Sequence, residues 1–156
     1  MKKLLLFGLA ILVLAYIFFS GGKDDDEYFN NYFHEMVKAG DEKNLEKFMD
    51  NFSLQYQDEN GINYIIVKNI ANKVFDKYEK IEGIVSELSS SISKNEDARE
   101  TAVVNMNILA TGSSESVETV ILGFNETPEN ITVYLEKSIL GNWQITSVEG
   151  IEKAEY

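Results

Sequence analysis

The chain has 156 residues, no cysteine, and 26 acidic against 14 basic residues, for a formal net charge of −12. A surface of that sign repels phosphate backbones, which excludes nucleic-acid binding. The missing thiols exclude disulfides, thiolate metal sites and thiol nucleophiles. With 44% hydrophobic residues, there is apolar material for one ordinary core.

Leu4 to Gly22 carries no charge, is preceded by Lys2 and Lys3, and is followed by Lys23-Asp24-Asp25-Asp26-Glu27. A helix of that length reaches roughly 28 Å, close to the hydrocarbon thickness of a bilayer. The apolar stretch is longer than a signal peptide requires and ends in Tyr16-Ile17-Phe18-Phe19, which favours an uncleaved anchor. Ser20-Gly21-Gly22 still offers small residues for cleavage after Gly22. The lysines on the short side place the N-terminus in the cytoplasm and the rest outside it. Cysteine-free export, with lysine used almost to the exclusion of Arg99, points to a bacterium and a single-pass inner-membrane protein with a periplasmic domain. The expected divisions are an anchor at 1–23, one domain at 24–149 and a tail at 150–156.

Beyond the run, Tyr28, Phe29, Tyr32, Phe33, Met36 and Val37 form a stripe at helical spacing, with Gly40 in a C-terminal position. Asp41 reads as the N-cap of a second helix carrying Leu45, Phe48, Met49 and Phe52. Ser53 to Gln57 alternates like a strand, and the Asp58-Glu59-Asn60-Gly61 turn leads into a third helix faced by Ile66, Val67, Ile70, Ala71, Val74, Phe75 and Tyr78. After Gly83 the period becomes two. Ile84, Ser86, Leu88, Ser90 and Ile92 are expected to share one face, and Ala102, Val104, Met106, Ile108 and Ala110 to share another on the next strand. Turns at Lys94–Asp97, Gly112–Ser114, Asn125–Asn130 and Gly141-Asn142 separate further strands near Val117–Phe124, Ile131–Ile139 and Trp143–Val148. Short connections imply an antiparallel meander. Helices followed by strands give an α+β fold, with three helices packed on a curved antiparallel sheet.

This layout resembles the nuclear transport factor 2-like domains, or cystatin-like α+β roll. The resemblance rests on the helices split at Ala39-Gly40-Asp41, the Tyr56 to Gly61 turn, and the closing Gly141-Asn142-Trp143-Gln144-Ile145-Thr146-Ser147-Val148 strand. It implies a conical pocket between sheet and helices, and in many members a dimer through the outer sheet face. Among relatives with enzymatic activity, isomerases, dehydratases and hydrolases occur. The resemblance implies Asp58 as their general base and Tyr28 or Tyr32 as a hydrogen-bond donor to an oxyanion. The plainer reading of the same residues is a turn cap and two packed tyrosines.

His34, the only histidine, falls off the apolar stripe and reads as a solvated helix residue. One histidine without cysteine cannot build the usual zinc site, and the acidic runs lack calcium-loop spacing. No cofactor or metal is expected. Val103, Leu109, Val120, Leu122 and Phe124 fall opposite the expected core and suggest an apolar sheet interface for a protein partner or a second copy. A bulge would exchange the two faces. The resulting expectation is a membrane-anchored interaction or scaffold domain of a bacterial envelope complex. The alternatives are a pocket for a small apolar molecule and an isomerase- or dehydratase-type enzyme.

Overall fold

The computed structural model of the chain describes residues 24–115, 117–123 and 127–151. The expected membrane span, Phe124 and the last residues of the tail therefore lie outside the described residues. Among the described residues, no helix is long and apolar enough to cross a membrane. Helix α1 covers residues 24–41, α2 Leu45–Met49 and α3 Tyr64–Lys77. Five strands follow: β1 Lys80–Lys94, β2 Glu100–Ser114, β3 Val117–Leu122, β4 Glu129–Lys137 and β5 Trp143–Glu149. Every strand pairing is antiparallel, so the fold is α+β, three helices on a five-stranded sheet.

The stripe on α1 behaves as its period predicts. Phe29 and Phe33 are buried, Tyr32, Met36 and Val37 pack against the core, and Tyr28 at the stripe's edge stays half exposed. The helix does not stop at Gly40. The Lys43 N–H donates to the Gly40 carbonyl and the Asn44 N–H to that of Ala39, each at 2.9 Å, with Lys43 at φ +54°. That is a Schellman closure with lysine at the left-handed position usually taken by glycine. Asp41 accordingly belongs to the last turn of α1. Asn44 caps α2 instead, accepting from the Lys47 N–H at 3.1 Å.

Ser53 to Gln57 forms no strand of the sheet. It runs beside β5, with one bridge between Phe52 and Ile145. The Ser53 and Gln57 N–H groups donate to the Ile145 and Thr146 carbonyls, and the Ile145 N–H donates to the Asn51 carbonyl just before the segment, covering an edge that would otherwise expose unpaired amides.

In β1 the face assignment fails halfway. A bulge between Ser86 and Ser89 holds Glu87 at φ +51°. Before it, Ile81 and Val85 are buried while Ile84 is 58% exposed, so Ile84 and Ser86 lie on the outer face. After it, Leu88, Ser90 and Ile92 take the inner face as expected. One inserted residue reverses the alternation, and a period-two reading cannot register it. β2 meets expectation, with Ala102, Val104 and Met106 buried.

No hairpin pairs β3 with β4. β4 pairs with β2 over Thr101–Ile108 and β3 pairs with it over Ala110–Ser114. β3 and β4 therefore run in the same direction, end to end along one edge of β2, and Gly123 at φ +114° ends the first of them. The sheet order is β1-β2-β4-β5, with β3 beside β2.

Two aspartates of α1 hold it along the free edge of β1. Asp26 Oδ1 accepts from the Ser90 N–H and Oγ, each at 2.6 Å, and Asp41 Oδ1 accepts from the Gly83 N–H at 3.1 Å. Between these clamps Phe29 meets Trp143 edge-on, with ring centroids 5.4 Å apart. Replacing Asp26 by alanine leaves the Ser90 donors without that acceptor, and the expected cost is about 1–3 kcal/mol. Urea denaturation measures that loss, and amide exchange at Ser90 is expected to accelerate. An unchanged Ser90 exchange rate rules out the clamp.

Candidate functional site

A cavity of about 510 Å³ lies between the concave sheet and the helices. One wall is α3, through Val67, Ile70, Ala71, Val74 and Phe75; the other is the sheet, through Val85, Met106, Ile108, Ala110, Val133 and Ile145. α3 leans on α2, where Phe75 meets Phe48 edge-on at 5.9 Å. Of its own residues only Ala71 is buried. Its ends hold it in place. At the start, Asn63 accepts from the Ile66 N–H at 3.1 Å. At the end, buried Tyr78 fills the space above Gly112, where a methyl group would lie 2.5 Å from Tyr78 Cγ. The Lys43 ammonium also donates to the Tyr78 carbonyl at 3.1 Å.

The lining is apolar apart from Asp41, Tyr56, Asp58 and Asn60. Among the described residues, no lysine, arginine or histidine lines it. Asp58 ties the loop before α3: its Oδ1 accepts from the Asn60 N–H at 2.9 Å and the Ile62 N–H at 2.8 Å. Burial, with the Asp58 charge adding to it, pushes the Tyr56 hydroxyl up to about 12. Burial also raises the Asp41 carboxyl above the ordinary carboxylate range.

The structure does not bring the three sequence candidates together. Tyr32 donates to the Asn51 carbonyl at 3.2 Å and the Trp143 carbonyl at 3.3 Å, and burial pushes its hydroxyl well above the usual tyrosine range. Tyr28 is half exposed and edge-on to Phe29. Neither is part of the cavity lining, whereas Asp58 is. The tyrosine beside Asp58 is Tyr56, which sequence reasoning quoted only as part of a turn. Its place two residues before Asp58 in an alternating stretch was the available signal. His34 is exposed, with Nδ1 2.7 Å from the Asn30 carbonyl.

The suggested interface residues divide between the faces. Val103 and Leu109 alternate with buried neighbours and lie outside, and Ile84 pairs with Leu109. Val120 pairs with Thr111 on that outer face, while Leu122 pairs with Ala110 and lines the cavity. Phe124 lies outside the described residues. Much of the remaining outer face is polar, bonded across strands from Asn107 to Glu87 and Asn130 and from Thr132 to Asn105.

No protein-family model matches the chain, and no curated protein does. Solved structures do. A candidate aromatic ring hydroxylase from Novosphingobium aromaticivorans is similar at TM-score 0.60 and 11% identity, over 80% of this chain and 86% of that one. Bd1075 from Bdellovibrio bacteriovorus aligns at TM-score 0.57 and 15% identity, over 79% of this chain and 40% of its own. The helical cell shape determining protein Pgp2 from Campylobacter jejuni aligns at 0.56 and 8%, over 75% and 38%. The fold is the nuclear transport factor 2-like α+β roll. This chain thus spans about two fifths of the Bd1075 and Pgp2 chains, and at these identities the likeness concerns the fold alone.

A tyrosine whose native value exceeds the unfolded value of about 10 binds its proton more tightly when folded. Its contribution to stability is complete below pH 10 and is lost as pH rises through about 12. Alkaline titration of phenolate absorbance is expected to show a late-ionising tyrosine that Tyr56→Phe lacks, together with a shallower fall of stability across that window. Loss of absorbance near pH 10 in the variant, with the late phase unchanged, places Tyr56 in water.

Proposed function

We propose that the chain is a membrane-anchored extracytoplasmic domain whose cavity receives a small, mostly apolar molecule that is neutral or cationic. The observation that carries this reading is the cavity of about 510 Å³, a volume within the usual range for small-molecule sites and apolar in the same way. Its few polar groups set the polarity of a guest. Asp41 and Asp58 offer acceptors, Tyr56 offers a hydroxyl held protonated, and no cation of the lining awaits a carboxylate or phosphate. A buried anion without a partner is costly, so fatty acids and phosphorylated ligands are disfavoured. The anchor is read from Leu4 to Gly22, and the extracytoplasmic side from the lysines before that run.

Binding of the neutral dye N-phenylnaphthylamine tests the cavity. The dye is expected to brighten with the protein and raise its melting temperature, as a ligand selective for the native state must. Ala71 lies on the α3 wall, and Ala71→Trp is expected to weaken binding by at least about tenfold by filling the space. A long-chain carboxylate is expected to compete poorly. Dye binding that is untouched by Ala71→Trp removes the cavity from the account.

A second reading is an interaction domain of an envelope complex. It is favoured by the presence of this fold as under two fifths of the Pgp2 chain, a cell-shape determinant. Mild-detergent purification of the full-length chain is expected to bring a stoichiometric partner with it, and a chain that always emerges alone removes this reading.

A further inference from the structure

The three most exposed large apolar side chains among the described residues are Ile139 at 101%, Leu140 at 88% and Leu54 at 80%. They line one open groove of about 840 Å³, which shares no residue with the cavity. Ile139 and Leu140 form the turn between β4 and β5, and Leu54 projects from the segment covering β5. The end of the β1–β2 hairpin supplies Lys94, Ala98 and Arg99.

The first turn of α1 lies at this same end of the domain. Asp26 is bonded to Ser90, a few residues before that hairpin. Phe29 touches Trp143, which directly follows the exposed turn. Only Lys23 separates Gly22, the last residue of the uncharged run, from Asp24, the first described residue of α1. Two Cα steps span at most about 7 Å. If the run crosses a bilayer, this end of the domain is held against it.

We propose that the groove end of the domain rests on that bilayer, with Leu54, Ile139 and Leu140 entering the interfacial layer. The inference rests on the anchor reading given above. Fully exposed isoleucine and leucine at a turn gain by partial burial among headgroups and upper acyl chains. The groove's charges suit this setting. Lys94, Arg99 and Lys137 face Glu100 and Glu136, so the lining is locally basic in a chain of net charge −12. Arg99 bonds Glu136 and Lys137 bonds Glu100, each at 2.6 Å, which lowers the cost of bringing both acids near lipid. Glu96 and Asp97 at the hairpin tip, with Asp24 to Glu27 on α1, oppose a strongly anionic surface. The apolar side chains carry the contact, and it forms on zwitterionic lipid.

The chain has no cysteine, so single labels can be placed without background. Full-length Leu54→Cys, Leu140→Cys and, at the opposite end, Glu118→Cys are labelled with bimane and reconstituted in phosphatidylcholine vesicles. Quenching by spin-labelled acyl chains is then compared with quenching by iodide. Lipid quenching at positions 54 and 140 is expected to exceed that at 118 by at least about threefold, with iodide quenching lower. Equal lipid quenching at 140 and 118 in protein that resists carbonate extraction overturns the seat and leaves the anchor standing. Shielding at 140 from both quenchers shows a protein surface covering the turn and also overturns it. Protein released by carbonate overturns the anchor, and the seat with it.

Discussion

The attachment of α1 to the free edge of β1 is the constraint from which the rest of the architecture follows. A single helix crossing a strongly curved sheet can slide or roll unless something fixes both its ends. Here Asp26 and Asp41 each reach a β1 amide, at Ser90 and Gly83, while Phe29 and Phe33 bury completely or nearly so between them. Gly83 is part of the same fit, since a methyl group there would lie 2.7 Å from Val37 Cγ1. The carboxylates satisfy amides that a bare edge strand would offer to another chain. The aromatic contacts supply the apolar burial, which is the larger favourable term.

With α1 fixed, the bulge at Glu87 determines what the sheet can enclose. Bulges strengthen local twist and bend the strand that carries them. The bend lets Leu88 and Ser90 continue toward α1 while Ile81 and Val85 face the space under α3. Because α3 is secured mainly at its ends, its apolar face stands off the sheet, and the cavity lies in the gap. A space of that size forfeits packing contacts that a filled core would make. Its persistence in the fold is consistent with a guest that restores them.

The helices and the inner face of β2 were legible because burial on one side imposes a period that composition cannot hide: Phe29 and Phe33 on α1, Ala102, Val104 and Met106 on β2. What escaped were events that break periodicity without changing composition. Glu87 looks like any strand residue until its φ is known, so Ile84 was assigned to the wrong face. The interruption between β3 and β4 carries Gly123 and Pro128, residues equally suited to a hairpin. Only the pairing with β2 shows that the strand resumes in the same direction. At the site, Asp58 was legible as a turn former and proved to be one, whereas the burial of Tyr56 depends on a core cluster most of whose members are distant in sequence. Tyr28 and Tyr32 shared a helical stripe with core residues. The wheel could not tell that one hydroxyl would reach the carbonyls of Asn51 and Trp143 while the other faced water.

The cavity and the groove share no lining residue but adjoin along β5, where Ile145 lines the first and Gln144 and Thr146 the second. Successive side chains of a strand point to opposite faces, so the two open on opposite sides of that strand. A domain seated through its groove would therefore leave the cavity on the other face of the sheet from the contact. That arrangement reconciles the two functional readings. On the proposed anchor, tethering would set where the domain works and which way it points, and the cavity's face would remain free to take a small molecule or meet a partner. The lining of the cavity, acidic and hydroxylic and without a cation among the described residues, would then select among what reaches it.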